Sequence, residues 1–396
     1  MSEVKTDLNS FDSRLDLNNL DKSNWKTYRF DEIAKNISER VDPNNTDLKV
    51  YIGLEHIDSE SLHIKRHGTP DDVNGTKLKF YKGDIIFGRR RAYQRKAGIA
   101  TWDGFCSAHA LVLRANHDVI DPELFPFFLH SDLFMNRAID ISVGSLSPTI
   151  NWGTLKHQEF LIPPREIQTQ LSHLFKAIEQ VNSSVNDVTE KLSELYQSKV
   201  DELFSNSNKG WEYIELKKLA GINKASLKGK TNPDYKFKYL DIASIIEPNI
   251  IGELDELKFS EAPSRARRIV SDDSIVLSLV RPYQRSFVYV TLGKDIIAST
   301  GTGVVDVKEP YVSRFVYHQF FSNRFLKFCE NRMTGTNYPA ITPKDLEAFK
   351  VGIPDDEKSM ATLANQLDDI NVAFENSRTK AQSAKQTKVS LINRIF

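Results

Sequence analysis

The sequence has little of what would mark an enzyme, a membrane protein or a secreted one. Its 396 residues include two cysteines, Cys106 and Cys329, one in each half of the chain. That pattern argues against a disulfide, supplies no metal set, and leaves both thiols as expected core residues. No run of 18 or more apolar residues occurs, and the start Met1-Ser-Glu-Val-Lys-Thr-Asp7 lacks an apolar signal region. Nothing therefore targets a membrane or export, and the chain reads as cytoplasmic. Net charge is absent too, because 53 basic residues balance 53 acidic ones. A nucleic-acid partner would have to be met by local basic charge.

Motifs for catalysis are equally scarce. Gly229-Lys-Thr231 has the end of a P-loop, but the position of its first glycine is occupied by Lys224, so no phosphate cradle forms. Asn232-Pro-Asp-Tyr235 lacks the second proline of the Asn-Pro-Pro-Tyr pattern of amino-methyltransferases, and no glycine-rich cofactor loop follows a strand. Pro354-Asp-Asp-Glu-Lys358 has its carboxylates side by side rather than on separate strands, and His56 and His109 stand alone. The sequence thus offers no catalytic constellation, no cofactor site and no metal site.

What it does contain is itself, twice. Arg91-Ala-Tyr-Gln-Arg95 returns about 190 positions later as Arg281-Pro-Tyr-Gln-Arg285. Gly144-Ser-Leu-Ser-Pro-Thr-Ile150 returns as Gly335-Thr-Asn-Tyr-Pro-Ala-Ile341, Ile162-Pro163 as Ile353-Pro354, and Leu203-Phe204 as Ile395-Phe396. Solenoid units are far shorter, roughly 20–50 residues, so this is a tandem copy of a whole domain. Each copy opens with short strand-like runs broken by Gly, Asp and Asn: 49–53, 83–87, 98–101 and 110–113 in the first, 237–242, 274–279, 287–290 and 304–307 in the second. With a helical segment near Pro122–Phe134 the expected class is α+β with a largely antiparallel sheet.

Each copy then changes character. After Pro164, apolar residues fall at Ile167, Leu171, Leu174, Ile178, Val181, Val185, Val188, Leu192 and Leu195, alternately four and three apart. This is the heptad seam of a coiled-coil helix, which Asn206-Ser-Asn-Lys-Gly210 is expected to stop. The second seam, Leu363, Leu367, Ile370, Phe374, Ser377, Ala381, Ala384, Lys388, Leu391 and Ile395, is thinner and more polar. Polar seam residues set register at a cost in stability. The expected architecture is a polar tail or cap (1–24), a first globule (25–164), a first long helix (165–208), a second globule (209–354) and a second long helix (355–396). The two helices are expected to pair as an antiparallel coiled coil.

The densest functional signal is Gly88–Lys96, where Arg89, Arg90, Arg91, Arg95 and Lys96 surround Tyr93 and Gln94. Such a cluster can neutralise several phosphates, stack one aromatic, and present the guanidinium fork that reads guanine. The second copy keeps Arg281, Tyr283, Gln284 and Arg285 but has Leu279 and Val280 where the first has Arg89 and Arg90. Phosphate affinity should therefore differ between the halves. The glycine-hinged loops add the short polar side chains Ser145 and Thr149 in one copy and Thr336 and Asn337 in the other.

The order globule, helix, globule, helix, with the sequence 83–96, the turn 281–285 and the Ile-Pro pairs, resembles the specificity subunit of type I restriction-modification systems. The resemblance covers about residues 25–396. It implies two target recognition domains, each reading one half of a bipartite sequence in double-stranded DNA, with the helices as a ruler for the unread gap. It also implies two docked adenine methyltransferase subunits that bind the methyl donor, a restriction subunit as a further partner, and no catalysis by this chain. By the same resemblance the basic turns are assigned to DNA contact. Two other readings remain open: a coiled-coil scaffold joining two protein-binding domains, and a chimeric enzyme.

Overall fold

The computed structural model describes residue 17 and residues 20–205, 208, 210–247, 250–291 and 293–396. Most of the tail, and Asn206, Ser207 and Lys209 of the expected helix stop, lie outside the described residues. The chain divides into two compact units, one of residues 1–186 with 379–396 and the other of residues 187–378. Each unit is therefore one globule joined by segments of both long helices.

In the first unit a four-stranded antiparallel sheet takes the order Ala34–Ile37, Ala110–Ala115, Ile85–Gly88, Ala97–Ile99. A second sheet orders Arg40–Val41, Lys77–Phe80, Gly104–Cys106 and Tyr51–Ile52, the last pair of strands being parallel. Alanine, isoleucine, leucine and valine at both faces of Ile85–Gly88 and Ala110–Leu113 suit strands buried on both sides, and every residue of those runs is buried. The second unit repeats the first sheet as Ala220–Ile222, Thr302–Val307, Ser274–Ser278, Phe287–Val290. Its second sheet again holds one parallel pair, Lys236–Leu240 with Ile296–Ser299. Each unit adds a two-stranded ribbon that joins the two ends of the globule, Lys26–Arg29 with Glu159–Ile162 and Trp211–Glu215 with Lys350–Pro354.

Phenylalanine fills the main cores. Phe30, Phe125, Phe128, Phe134 and Phe160 pack in the first unit, and Phe287, Phe315, Phe320, Phe325 and Phe349 in the second. The short helices Asp132–Asp140 and Asn323–Glu330 start on equivalent caps, with Ser131 accepting from the Phe134 amide and Ser322 from the Phe325 amide. Cys106 and Cys329 are free and buried, and burial pushes both thiols up to about 12.

The long helices run Arg165–Phe204 and Glu357–Ile395, a length of roughly 60 Å each at 1.5 Å per residue. In the first unit Leu171 and Phe175 share a buried cluster with Ile392 and Ile395, against which Leu17 and Leu20 pack. In the second, Val200 and Phe204 join Met360, Ala364 and Leu367. Within each unit the early part of one helix thus meets the late part of the other, which is the antiparallel sense. The polar seam residues are paired: Ser377 Oγ lies 2.8 Å from Thr189 Oγ1, and Lys388 donates to Glu179 at 2.8 Å.

The second helix buries the seam expected of it at Leu367, Ser377, Lys388 and Ile395, but the first is rotated. Val181, Val188 and Leu195 are 56%, 50% and 45% exposed, whereas Asn182 is buried and Thr189 half-buried. Of the two apolar lines, only Leu171, Ile178, Val185 and Leu192 turns inward. Its companion line is Phe175, Asn182, Thr189 and Tyr196: Phe175 stacks on Phe127, Thr189 bonds Ser377, Tyr196 bonds His318, and Asn182 is buried. Among the described residues no helix is long and apolar enough to cross a membrane.

Glu179 shows what the buried polar seam contributes. Burial opposes its ionisation, but hydrogen bonds from His63, at 3.0 Å, and Lys388 overcome this and hold its carboxyl down at about 2, from 4.5. Replacing Lys388 with leucine leaves a largely buried carboxylate short of a partner and should cost about 2 kcal/mol in urea unfolding. The double substitution Lys388→Leu with Glu179→Leu should recover most of that loss. The unfolded chain takes up the Glu179 proton first as pH falls. This group's stabilisation is therefore present above about 4.5 and lost between 4.5 and 2, and Glu179→Gln should flatten that part of the pH–stability curve.

Candidate nucleic-acid interface

The two basic turns have the same backbone. In the first, Arg91 (φ 57°, ψ 55°) and Arg95 (φ 51°, ψ 46°) bracket a single 3-10 turn over Ala92–Gln94. In the second, Arg281 (φ 48°, ψ 54°) and Arg285 (φ 54°, ψ 32°) bracket Pro282–Gln284. Left-handed conformations are unfavourable for side chains of this size, by roughly 1–2 kcal/mol per residue, so each must be held. The hydrogen bonds that hold them are repeated. The Arg91 amide donates to the Pro148 carbonyl and the Arg281 amide to that of Pro339, both at 2.7 Å. The Gln94 and Gln284 amides close the turns onto Arg91 and Arg281, both at 2.9 Å. The buried Ala92 and Pro282 anchor the turns to the cores beneath them.

Those bonds also fuse the turn to the glycine-hinged loop, so the two separate sequence signals become one surface in each unit. Val143 pairs with Thr149 and Thr334 with Ala340, making each loop a narrow hairpin whose tip is 144–148 or 335–339. Gly144 at φ 117° and Gly335 at φ 97° permit the reversal, and a Cβ at Gly335 would stand 3.3 Å from the Tyr338 carbonyl oxygen. The Ile150 amide donates to the Arg89 carbonyl and the Ile341 amide to that of Leu279, so Leu279 structurally replaces Arg89.

Side chains then separate into outward and inward sets. In the first unit Arg90, Arg91 and Tyr93 are exposed, with Arg90 and Arg91 donating to Ser147 Oγ at 3.4 and 3.3 Å beside exposed Ser145. Arg89 lines a cleft of about 290 Å³ with Arg40 and Lys77. Lys96 turns in to the Leu54 carbonyl at 2.6 Å, and Thr149 donates to the Ser147 carbonyl at 3.1 Å. Arg95 also turns in, donating to the His130 carbonyl at 3.0 Å and pairing with Asp132 at 2.8 Å. Gln94 is half-buried.

In the second unit Tyr283, Gln284, Thr336 and Asn337 are exposed. Arg281 donates to the Asn337 carbonyl at 2.9 Å and lies over the Tyr338 ring at 4.7 Å. Arg285 is directed inward to Gln197 of the first long helix, and burial lowers its pKa. The loop tips also present Leu146, 91% exposed, and Tyr338, 70% exposed, which sequence reasoning passed over. An apolar or aromatic residue between the loop's Gly and Pro was the available signal. Three further arginines of this unit are engaged locally: Arg265 pairs with Asp241 at 3.0 Å, Arg267 covers Phe259, and Arg268 donates to Ser226 at 3.2 Å. Each unit thus offers a rigid basic and aromatic edge able to contact phosphate and to stack or hydrogen-bond on bases.

Residues 22–194 match the family model described as the type I restriction modification DNA specificity domain. The chain is 26% identical over 211 residues to the type I restriction enzyme EcoDI specificity subunit of Escherichia coli, covering 52% of this chain and 47% of that protein. The chain therefore spans about half the length of that relative. It is 21% identical over 381 residues to the putative type I restriction enzyme MjaX specificity subunit of Methanocaldococcus jannaschii, covering 86% of this chain and 85% of that one. Its fold is similar to the type I restriction-modification S subunit from M. genitalium (TM-score 0.61, 14% identity, 94% and 96% of the chains). A further solved chain from a study of type I system assembly gives TM-score 0.54 at 17% identity, over 93% and 97% of the chains. With its doubled globule-and-helix plan and these matches, the chain is similar in sequence and in fold to specificity subunits of type I restriction-modification systems.

Proposed function

We propose that this chain is the non-catalytic DNA-recognition subunit of a type I restriction-modification complex acting in the cytoplasm. The reading is carried by one observation: the same strained basic turn is clamped to the same glycine-hinged loop in both units. Each unit reads one half of a bipartite target in double-stranded DNA. The long helices pair as an antiparallel coiled coil that spaces the readers and docks two methyltransferase subunits, and restriction subunits join that assembly. Arg90, Arg91, Tyr93, Ser145, Arg281, Tyr283, Gln284, Thr336 and Asn337 face the duplex, while Arg95, Lys96 and Arg285 hold the turns in place. Arg89 contributes charge from its cleft. The first reader leans on phosphate, and the second, with Leu279 and Val280 in place of two arginines, leans on Tyr283 and Tyr338.

Salt titration of DNA binding tests this reading. Arg90→Ala and Arg91→Asn, the latter because asparagine tolerates the left-handed backbone, should each weaken binding several-fold and lower the salt slope by about one unit. Unchanged affinity and slope for both would return the turns to ordinary surface and favour the protein-binding scaffold. Arg95→Gln should instead lower the unfolding free energy by about 1–2 kcal/mol with little change in slope.

The spacing role has its own test. Inserting one heptad after Val188 and another after Arg378 lengthens both helices by roughly 10 Å while keeping their inner faces in phase. The preferred gap between half-sites should grow by about three base pairs, at 3.4 Å per base pair, with both half-site sequences unchanged. An unchanged gap at full affinity would remove the helices from that role.

A further inference from the structure

Among the polar contacts that bind each globule to its helices, two stand at equivalent positions in both units, and the charges of these two clasps are reversed between the units. In the first unit Lys176 of the first long helix pairs with Glu123, and Asn393 of the second clasps Asp132. The latter clasp is bidentate: the Asp132 amide donates to Asn393 Oδ1 at 2.7 Å, and Asn393 Nδ2 donates back to Asp132 Oδ2 at 2.6 Å. In the second unit Asp368 of the second helix pairs with Arg314, and Asp201 of the first clasps Asn323. Here the Asn323 amide and Nδ2 donate to Asp201 Oδ1 and Oδ2 at 2.8 and 2.7 Å.

These are equivalent positions. Lys176 and Asp368 each stand eleven residues past the starts of their helices, Arg165 and Glu357, and Asp201 and Asn393 each stand thirty-six past. Asp132 and Asn323 each follow the capping serine, Ser131 or Ser322, and Glu123 and Arg314 each precede that serine by eight residues. Seating the first globule on the second unit's helix segments would therefore set Glu123 against Asp368 and Asp132 against Asp201. The opposite exchange would set Arg314 against Lys176 and leave Asn323 facing Asn393 without a carboxylate.

We infer that these reversed clasps are an assembly code that lets each helix seat accept its own globule and refuse the other, whether that globule comes from the same chain or from a second copy. Correct seats gain opposite charges and complementary hydrogen bonds, and wrong seats gain like charges, which is how an interface discriminates against a near-identical competitor. The order of the two readers along the chain is thereby fixed despite a nearly shared backbone. A globule of foreign origin fits a seat when it carries that seat's charges at these two positions.

The test applies one pair of substitutions, Asp368→Lys with Asp201→Asn, to two full-length chains. One chain is native, and in the other residues 25–162 replace residues 211–353, so that the first globule occurs twice. The substitutions should lower the thermal midpoint of the native chain and raise that of the duplicated chain, each by about 2–6 °C. A shift of the same sign in both overturns the code. Where the duplicated chain is insoluble, the native chain decides alone. Glu123→Arg and Lys176→Asp should each lower its midpoint and together restore it, and a double variant no more stable than the sum of the singles overturns the code.

Discussion

The seat that each globule makes on segments of both long helices is the contact on which the remaining features depend. The first globule's apolar underside, with Trp25, Leu124 and Phe127, is closed by Leu171 and Phe175 from the following helix and by Ile392 and Ile395 from the far end of the sequence. The second is closed by Val200 and Phe204, which precede it, and by Met360, Ala364 and Leu367, which follow it. These segments are remote in sequence, so neither globule has a complete core until the helices lie against it. The inner helix faces must then run antiparallel within each unit, and Ser377 and Lys388 have to find Thr189 and Glu179.

The same seats orient the candidate interface. Arg95 reaches the capping region of Asp132–Asp140, and Asp132 is in turn bound by Asn393. Arg285 reaches Gln197, which also bonds Asp201 and the Phe321 carbonyl. The inward arginine of each strained turn is thus continuous with the helix contact, while the outward arginine and tyrosine are left on the surface. Strain in a left-handed arginine is tolerated where the surrounding hydrogen bonds over-determine it, and such positions concentrate at working surfaces.

The repeat, the heptads and the α+β class were legible because they rest on periodicity and on long-range identity, which the sequence states directly. The rotated face of the first helix was not. Val181, Val188 and Leu195 look like a seam by composition, yet the inner line contains the polar Asn182, which is buried, and Thr189, which bonds Ser377. Nor could the sequence separate Arg91 from Arg95. Both flank the same 3-10 turn with the same backbone angles, and only the positions of Ser147 and Asp132 show which is free to face a partner. Tyr338 was not legible for a related reason: Arg281 lies across its ring, a contact between residues far apart in the chain.

The central proposal, that the two units read the two halves of one spaced DNA target, is tested most directly by mapping methylated bases across the host genome with the gene present and deleted. The account expects one methylated motif that disappears on deletion, consisting of two different specified half-sites around an unread gap of constant length. A motif that persists without the gene, or a gene-dependent motif that is a single contiguous block, would contradict it.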